Sequence, residues 1–216
     1  MEHTASKKTD GQVATPHIMG EDSELLAHIL RPNVNLALWQ RPALLDIARE
    51  LSHITASSLA DIRCSTSPVS FDSDVVELLV RQSLDPSRLA NLRSDMTYLA
   101  NLFFNLSGAR NAQFRLVATD RDDCKRFHVD RKHLRMLCTY RGPGTEWLTD
   151  AQVDRVAQSR CAPNSAIIRY GSPKKFERFW VGIMKGDPEN QGHGLVHRSP
   201  PIEALGECRV LFCMDF

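Results

Sequence analysis

The run Phe127-His128-Val129-Asp130 puts an imidazole and a carboxylate two residues apart. On an extended strand, residues i and i+2 point to the same face, so His128 and Asp130 converge while Val129 packs the other way. These two side chains are two thirds of a facial metal triad, and the third ligand must be a histidine from elsewhere in the chain. Two histidines and one carboxylate leave three coordination positions open, the arrangement of non-haem Fe(II) oxygenation chemistry, in which O2 and a chelating co-substrate need those positions. His197, in GLVHRSP, lies 67 residues beyond Asp130 at the end of a strand-like segment and is assigned as the third ligand. His193, between two glycines in QGHGL, is the competing candidate. A strand end places a ligand better than a glycine-flanked loop does. His133 falls in a turn, and His3, His17, His28 and His53 are assigned no role.

Arg209 follows His197 by 12 residues, on the last expected strand. A guanidinium there can clamp a carboxylate through two parallel hydrogen bonds. In a 2-oxoglutarate enzyme that carboxylate is the far end of the co-substrate. Tyr140 and Thr139 stand near the site if the strand 134–140 runs beside FHVD; Tyr140 then touches the co-substrate, or is a half-buried strand tyrosine. Arg198, directly after the distal histidine, and Arg126 face either substrate or solvent. Trp147 walls a pocket or anchors its loop. Cys124, four residues before His128, is a candidate fourth ligand. A closed tetrahedral site that includes Cys124 suits Zn2+ and a structural or storage role, whereas an open site is catalytic. Two function classes therefore stand: an Fe(II)/2-oxoglutarate oxygenase acting on a small molecule or peptide, and a zinc-binding accessory protein. A cupin-like protein without catalysis is a third.

These residues must be held by a framework. Apolar residues recur at helical spacing in 21–31, after Pro42, in DVVELLVRQSL from Asp74, and in a long leucine-rich segment from about Ser87 to Leu106 that Gly108 closes. From residue 111 the pattern changes to short β-rich runs: 113–119, 126–130, 134–140, 166–170, 178–185, 194–197 and 207–216, with GPG at 142–144 as a turn. One helix, TDAQVDRVAQSR, is expected among them, capped by Thr149 or Asp150. Along 134–140, Leu134, Met136, Cys138 and Tyr140 share one face, and Arg135, Leu137 and Thr139 the other. The expected fold is α+β: a double-stranded β-helix (jelly-roll, cupin-like) over 111–216, preceded by a helical region at 21–110 in the same structural domain and a disordered tail at 1–20.

A chain of 216 residues with 42% hydrophobic and 25% charged residues can bury one substantial core. A formal charge of +1 and scattered arginines give no electrostatic basis for binding nucleic acid. No apolar run reaches the roughly 20 residues of a membrane helix, and the polar first twenty residues lack a secretory h-region, so a cytoplasmic protein is expected. The six cysteines form no CxxC pair; Cys138, Cys208 and Cys213 read as small buried hydrophobes on strands.

The runs CKRFHVD, LRMLCTYRGPGTEWL and LVHRSPP resemble the signature of a bacterial family of unknown function. Its members carry closely similar Cys-Pro-Arg-Phe-His-x-Asp, Thr-Tyr-x-Gly-Pro-Gly-Thr and His-Arg-Ser-Pro runs. The resemblance covers most of residues 25–216, including NLALWQR and FFNLSGA, and departs at Lys125, where the family usually has proline. Genes of that family are associated with zinc-responsive systems, which implies Zn2+ as the alternative metal. More distantly, the layout resembles Fe(II)/2-oxoglutarate dioxygenases of the prolyl-hydroxylase branch. That resemblance implies His128, Asp130 and His197 as ligands and Arg209 as the co-substrate clamp.

Overall fold

The computed structural model describes residues 16–188, 191–192 and 194–216. The β-rich runs pair into a seven-stranded sheet: β1 (His17–Gly20), β2 (Leu36–Trp39), β3 (Cys64–Thr66), β4 (Ala112–Thr119), β5 (Leu134–Arg141), β8 (Val181–Lys185) and β10 (Arg209–Asp215). Their order in space is β1-β2-β8-β5-β10-β4-β3. All neighbours are antiparallel except β1 and β2. A smaller sheet, of order β7-β6-β9, is built from β6 (Glu146–Trp147), β7 (Lys174–Lys175) and β9 (His197–Arg198).

The pleat sorts the strand residues onto two faces of the large sheet. Met136, Cys138, Tyr140, Phe212 and Met214 join the core under helices α1 (Leu45–Glu50), α2 (Phe71–Arg81) and α3 (Ala90–Ser107). In α3, Leu92, Met96, Leu99 and Phe103 recur every three or four residues and are fully buried. The opposite face carries Leu137, Leu211 and Cys213 into a second core completed by Trp147, Phe176 and Leu195. This second layer separates the two sheets and borders the candidate site.

Several local expectations change in the fold. Residues 17–20, expected within a tail, form edge strand β1, while residues 1–15 lie outside the described residues. The region 21–110 is not purely helical: it gives the large sheet β2 and β3, and LALW of β2 sits in the interior between β1 and β8. Continuous burial on both faces hides the period-2 signal there. The single helix expected at 149–160 is two pieces, a 3-10 turn at Asp150–Gln152 and α4 (Arg155–Ser159), each with its own cap. Between them Val153 bridges Ile168. The expected strand 166–170 begins instead as α5 (Asn164–Ile167) after Pro163. Among the described residues no helix is long and apolar enough to cross a membrane.

Tyr140 requires a correction. Its ring is buried on the helix face of β5, away from the inter-sheet layer, and its hydroxyl donates to Asp95 Oδ2 at 2.6 Å. Arg41 grips the same carboxylate at 2.6 and 2.7 Å and donates from Nε to the Phe179 carbonyl at 2.6 Å. Burial pushes the Tyr140 phenol up, so it stays a neutral donor. Tyr140 is thus the alternative that its strand position left open, a structural tyrosine. Removing one partner of such a buried pair leaves an uncompensated charge. Asp95→Ala is expected to cost about 3–5 kcal/mol in denaturant unfolding, with divalent-metal affinity unchanged. A loss below about 1 kcal/mol would mean that water takes the place of Asp95.

Candidate metal centre

His128 lies on no regular strand. The segment before it is held by Asn164 at the start of α5, whose side chain accepts from the Phe127 amide at 2.9 Å and donates to the Lys125 carbonyl at 2.9 Å. His128 and His197 then form an isolated antiparallel bridge, each amide donating to the other's carbonyl at 3.0 Å. This reciprocal pair brings together two histidines 69 positions apart in sequence. On the far side of Asp130 the chain turns against Gly186, where a Cβ would run into the carbonyl oxygens of Lys132 and Asp130. Only glycine allows that approach.

The three side chains meet. Donor atoms of His128, Asp130 and His197 all lie within 4.8 Å of one another. His197 Nε2 is 3.4 Å from Asp130 Oδ2, His128 Nε2 is 3.7 Å from Asp130 Oδ1, and the imidazole centroids are 4.6 Å apart. Cis ligands about 2.1 Å from an ion sit roughly 3 Å apart, so small side-chain movements would close the set on a cation. Both rings are oriented through Nδ1: that of His128 lies 2.9 Å from the Arg126 carbonyl and that of His197 3.1 Å from the Leu195 carbonyl. With Nδ1 as donor in each, both Nε2 lone pairs face Asp130, the outer-sphere arrangement of metal-binding histidines. The residues fit a divalent cation.

Arg135, not singled out in the sequence, completes the electrostatics. Its guanidinium bridges Asp130 at 2.8 Å and Asp215 at 2.8 Å, and Lys132 joins Asp215 at 3.0 Å. Its place on the inner face of β5 was legible, but its partners, Asp130 in a loop and Asp215 on β10, were not. Burial alone would raise the Asp130 carboxyl, yet the neighbouring His197, His128 and Arg135 outweigh it and hold the group well below the usual carboxylate range. Burial pushes His197 down to about 4. Burial also opposes protonation of His128, but its contacts with Asp130 and the Arg126 carbonyl outweigh that and raise it above 6.5. At mildly acidic pH the pair therefore holds one proton, on His128. A divalent ion must displace that proton, so its affinity is expected to fall as pH drops through the raised His128 value, by about tenfold per pH unit. Zn2+ competition titrations between about pH 5 and pH 8 check this; a flat profile would be inconsistent with displacement of the His128 proton.

The remaining candidates are placed as follows. Arg209 is 1% exposed on the inner face of β10. It donates to Thr145 Oγ1 at 2.9 Å and Thr139 Oγ1 at 3.3 Å, its Nε has no partner, and among the described residues no carboxylate is in ion-pair contact with it, exposed Asp123 attracting it only from farther off. Burial pushes it down to about 10. Thr145 is two residues from Trp147, the cross-strand partner of His197, so Arg209 and the histidines share one strip of the inter-sheet layer. Trp147 is buried in that layer. Arg198 faces away from His197: it pairs with buried Glu146 at 2.6 Å and its guanidinium stacks on Phe127, because successive strand residues face opposite ways. Cys124 is exposed and outside the three-residue group, and its backbone carbonyl accepts from the Ser199 amide. Arg126 donates to the Cys161 carbonyl. His193 lies outside the described residues.

Among solved structures, the chain is similar to a dioxygenase for auxin oxidation from rice, with a TM-score of 0.56 and 13% identity over 93% of this chain and 82% of that one. A prolyl-4-hydroxylase from Pseudomonas putida aligns at a TM-score of 0.32 and 11% identity, over 80% of this chain and 93% of its own. The first likeness establishes a shared fold. No curated protein matches. The family described as "Protein of unknown function (DUF1826)" matches residues 20–215, almost all of the sequence that carries the two sheets and the His-Asp-His group, and the chain belongs to that family.

Proposed function

We propose that the protein is an Fe(II)/2-oxoglutarate-dependent oxygenase whose two facing sheets are a double-stranded β-helix, with His128, Asp130 and His197 as metal ligands and Arg209 as the co-substrate clamp. The observation that carries this reading is the Arg209 guanidinium, buried with no carboxylate in contact, in the same layer as the histidines. A buried unpaired charge is costly, and a fold keeps one where a ligand supplies the counter-charge. The far carboxylate of 2-oxoglutarate would accept from Arg209, with the Thr139 and Thr145 hydroxyls beside it. Bound Fe(II) would supply O2 activation coupled to oxidative decarboxylation of the co-substrate. The chain's own contribution is to hold the ligands facially, keep both Nε2 atoms free, and fix Asp130 through Arg135.

Zn2+ binding by an accessory protein is the second reading, since imidazole and carboxylate also suit zinc. The exposure of Cys124, outside the three-residue group, favours the open site over a closed four-ligand one. The deciding experiment is anaerobic titration of metal-free protein with Fe(II) and then 2-oxoglutarate, watching for the visible charge-transfer band of the chelate. A band that disappears on exposure to O2 supports the oxygenase. No band, together with tight Zn2+ binding that depends on Cys124, would replace it with the zinc reading.

A further inference from the structure

A cavity of about 360 Å³ opens beside His128, lined in part by Arg126, Phe127, Arg131, Arg155 and Asp187. His128 is the most open of the three candidate ligands, its side chain one-third exposed against 11% for Asp130 and 6% for His197, so the metal group meets solvent on this side. The charges around the cavity do not cancel. Arg155 is neutralised by Asp150 at 2.8 Å and also donates to the Gly194 carbonyl. Asp187 is committed to backbone amides at 191 and 192, each at 2.6 Å. Arg126 donates to the Cys161 carbonyl, which brings no charge, and Arg131 is exposed. Among the described residues neither Arg126 nor Arg131 has an ion-pair partner. Asp187 stays anionic, so the unpaired guanidinium forks of Arg126 and Arg131 still leave an excess of positive charge at a cavity whose wall includes a candidate metal ligand.

We infer that this cavity is the substrate site and that the substrate carries an anionic group, a carboxylate or a phosphate, held by Arg126 and Arg131 while the rest of the molecule lies against His128. The assignment of the cavity to substrate rests on the oxygenase reading; its preference for anions does not. Guanidinium forks match both oxyanions bidentately. The anion is separate from the co-substrate, because Arg209 does not line this cavity.

The test uses Zn2+-loaded protein, with calorimetric titration of small carboxylates against their amides and of phosphate monoesters against their parent alcohols. Anions are expected to bind about tenfold or more tightly than their neutral counterparts, the scale of a hydrogen bond to a charged group. Arg126→Glu and Arg131→Glu should each remove most of that preference, and the milder Arg131→Gln part of it. All three should keep Zn2+ and 2-oxoglutarate binding, which also verifies folding. Repeating the titrations in Arg209→Met removes any contribution from the buried arginine. Whichever pair shows the preference identifies the anion class. Equal binding of anions and neutral counterparts, or a preference that survives both charge reversals, overturns the inference. If 2-oxoglutarate binds but no charge preference appears, this inference alone fails. If the preference is present but 2-oxoglutarate does not bind, the oxygenase reading alone fails and the cavity remains an anion site.

Discussion

His197→Ala is expected to abolish Fe(II) binding at micromolar concentrations and with it the 2-oxoglutarate charge-transfer band, while the large sheet and its helices stay folded. The loss should exceed the roughly 10–100-fold penalty for removing an outer-sphere partner, because a ligand itself is lost. His197 is suited to this role by its surroundings: buried, held at about 4 and so neutral near pH 7, and oriented through the Leu195 carbonyl. The metal-free protein should resemble wild type in far-UV circular dichroism, because the substitution leaves every apolar residue of the two main cores in place. Global unfolding on metal removal would show a structural ion instead. Iron affinity within about threefold of wild type would exclude His197 as a ligand.

Arg209→Met is expected to move stability and co-substrate binding in opposite directions. The folded value of Arg209, about 10, lies below its ordinary 12.5. A base depressed in this way is charged in both folded and unfolded chains below about pH 10, and the burial cost is then fully present. It is relieved only as pH rises from about 10 toward 12.5. At neutral pH the arginine therefore costs stability, and methionine, with a similar stem and no charge, should raise the melting temperature of the ligand-free protein by several degrees. The same substitution removes the partner of a carboxylate and should weaken 2-oxoglutarate by about 100-fold or more, with metal affinity unchanged. A lower melting temperature with unaltered 2-oxoglutarate affinity would make Arg209 a structural residue satisfied by Thr139 and Thr145.

The sequence by itself marked side chains of a type suited to a metal, three of which the fold brings together, and determined which face of a strand residues share. The alternation along 134–140 assigned Leu137 and Thr139 to one face and Met136, Cys138 and Tyr140 to the other, and the structure keeps that division, because a strand's two-residue period is a local property. Gly108 ends α3 with φ +65, again local chemistry. Tertiary structure alone decided which face meets which layer. It sent Tyr140 to Asp95 under the helices, took Arg198 to Glu146, and placed Arg209 among threonines with no carboxylate in contact. It also drew β2 into the sheet interior and made a bridge, not a strand, the device that joins His128 to His197. Arg135 shows the reason most plainly: its ion pairs with Asp130 and Asp215 exist because β5 and β10 are adjacent and a loop folds over them. Non-local pairing of this kind depends on how layers stack, and no spacing along the chain encodes it.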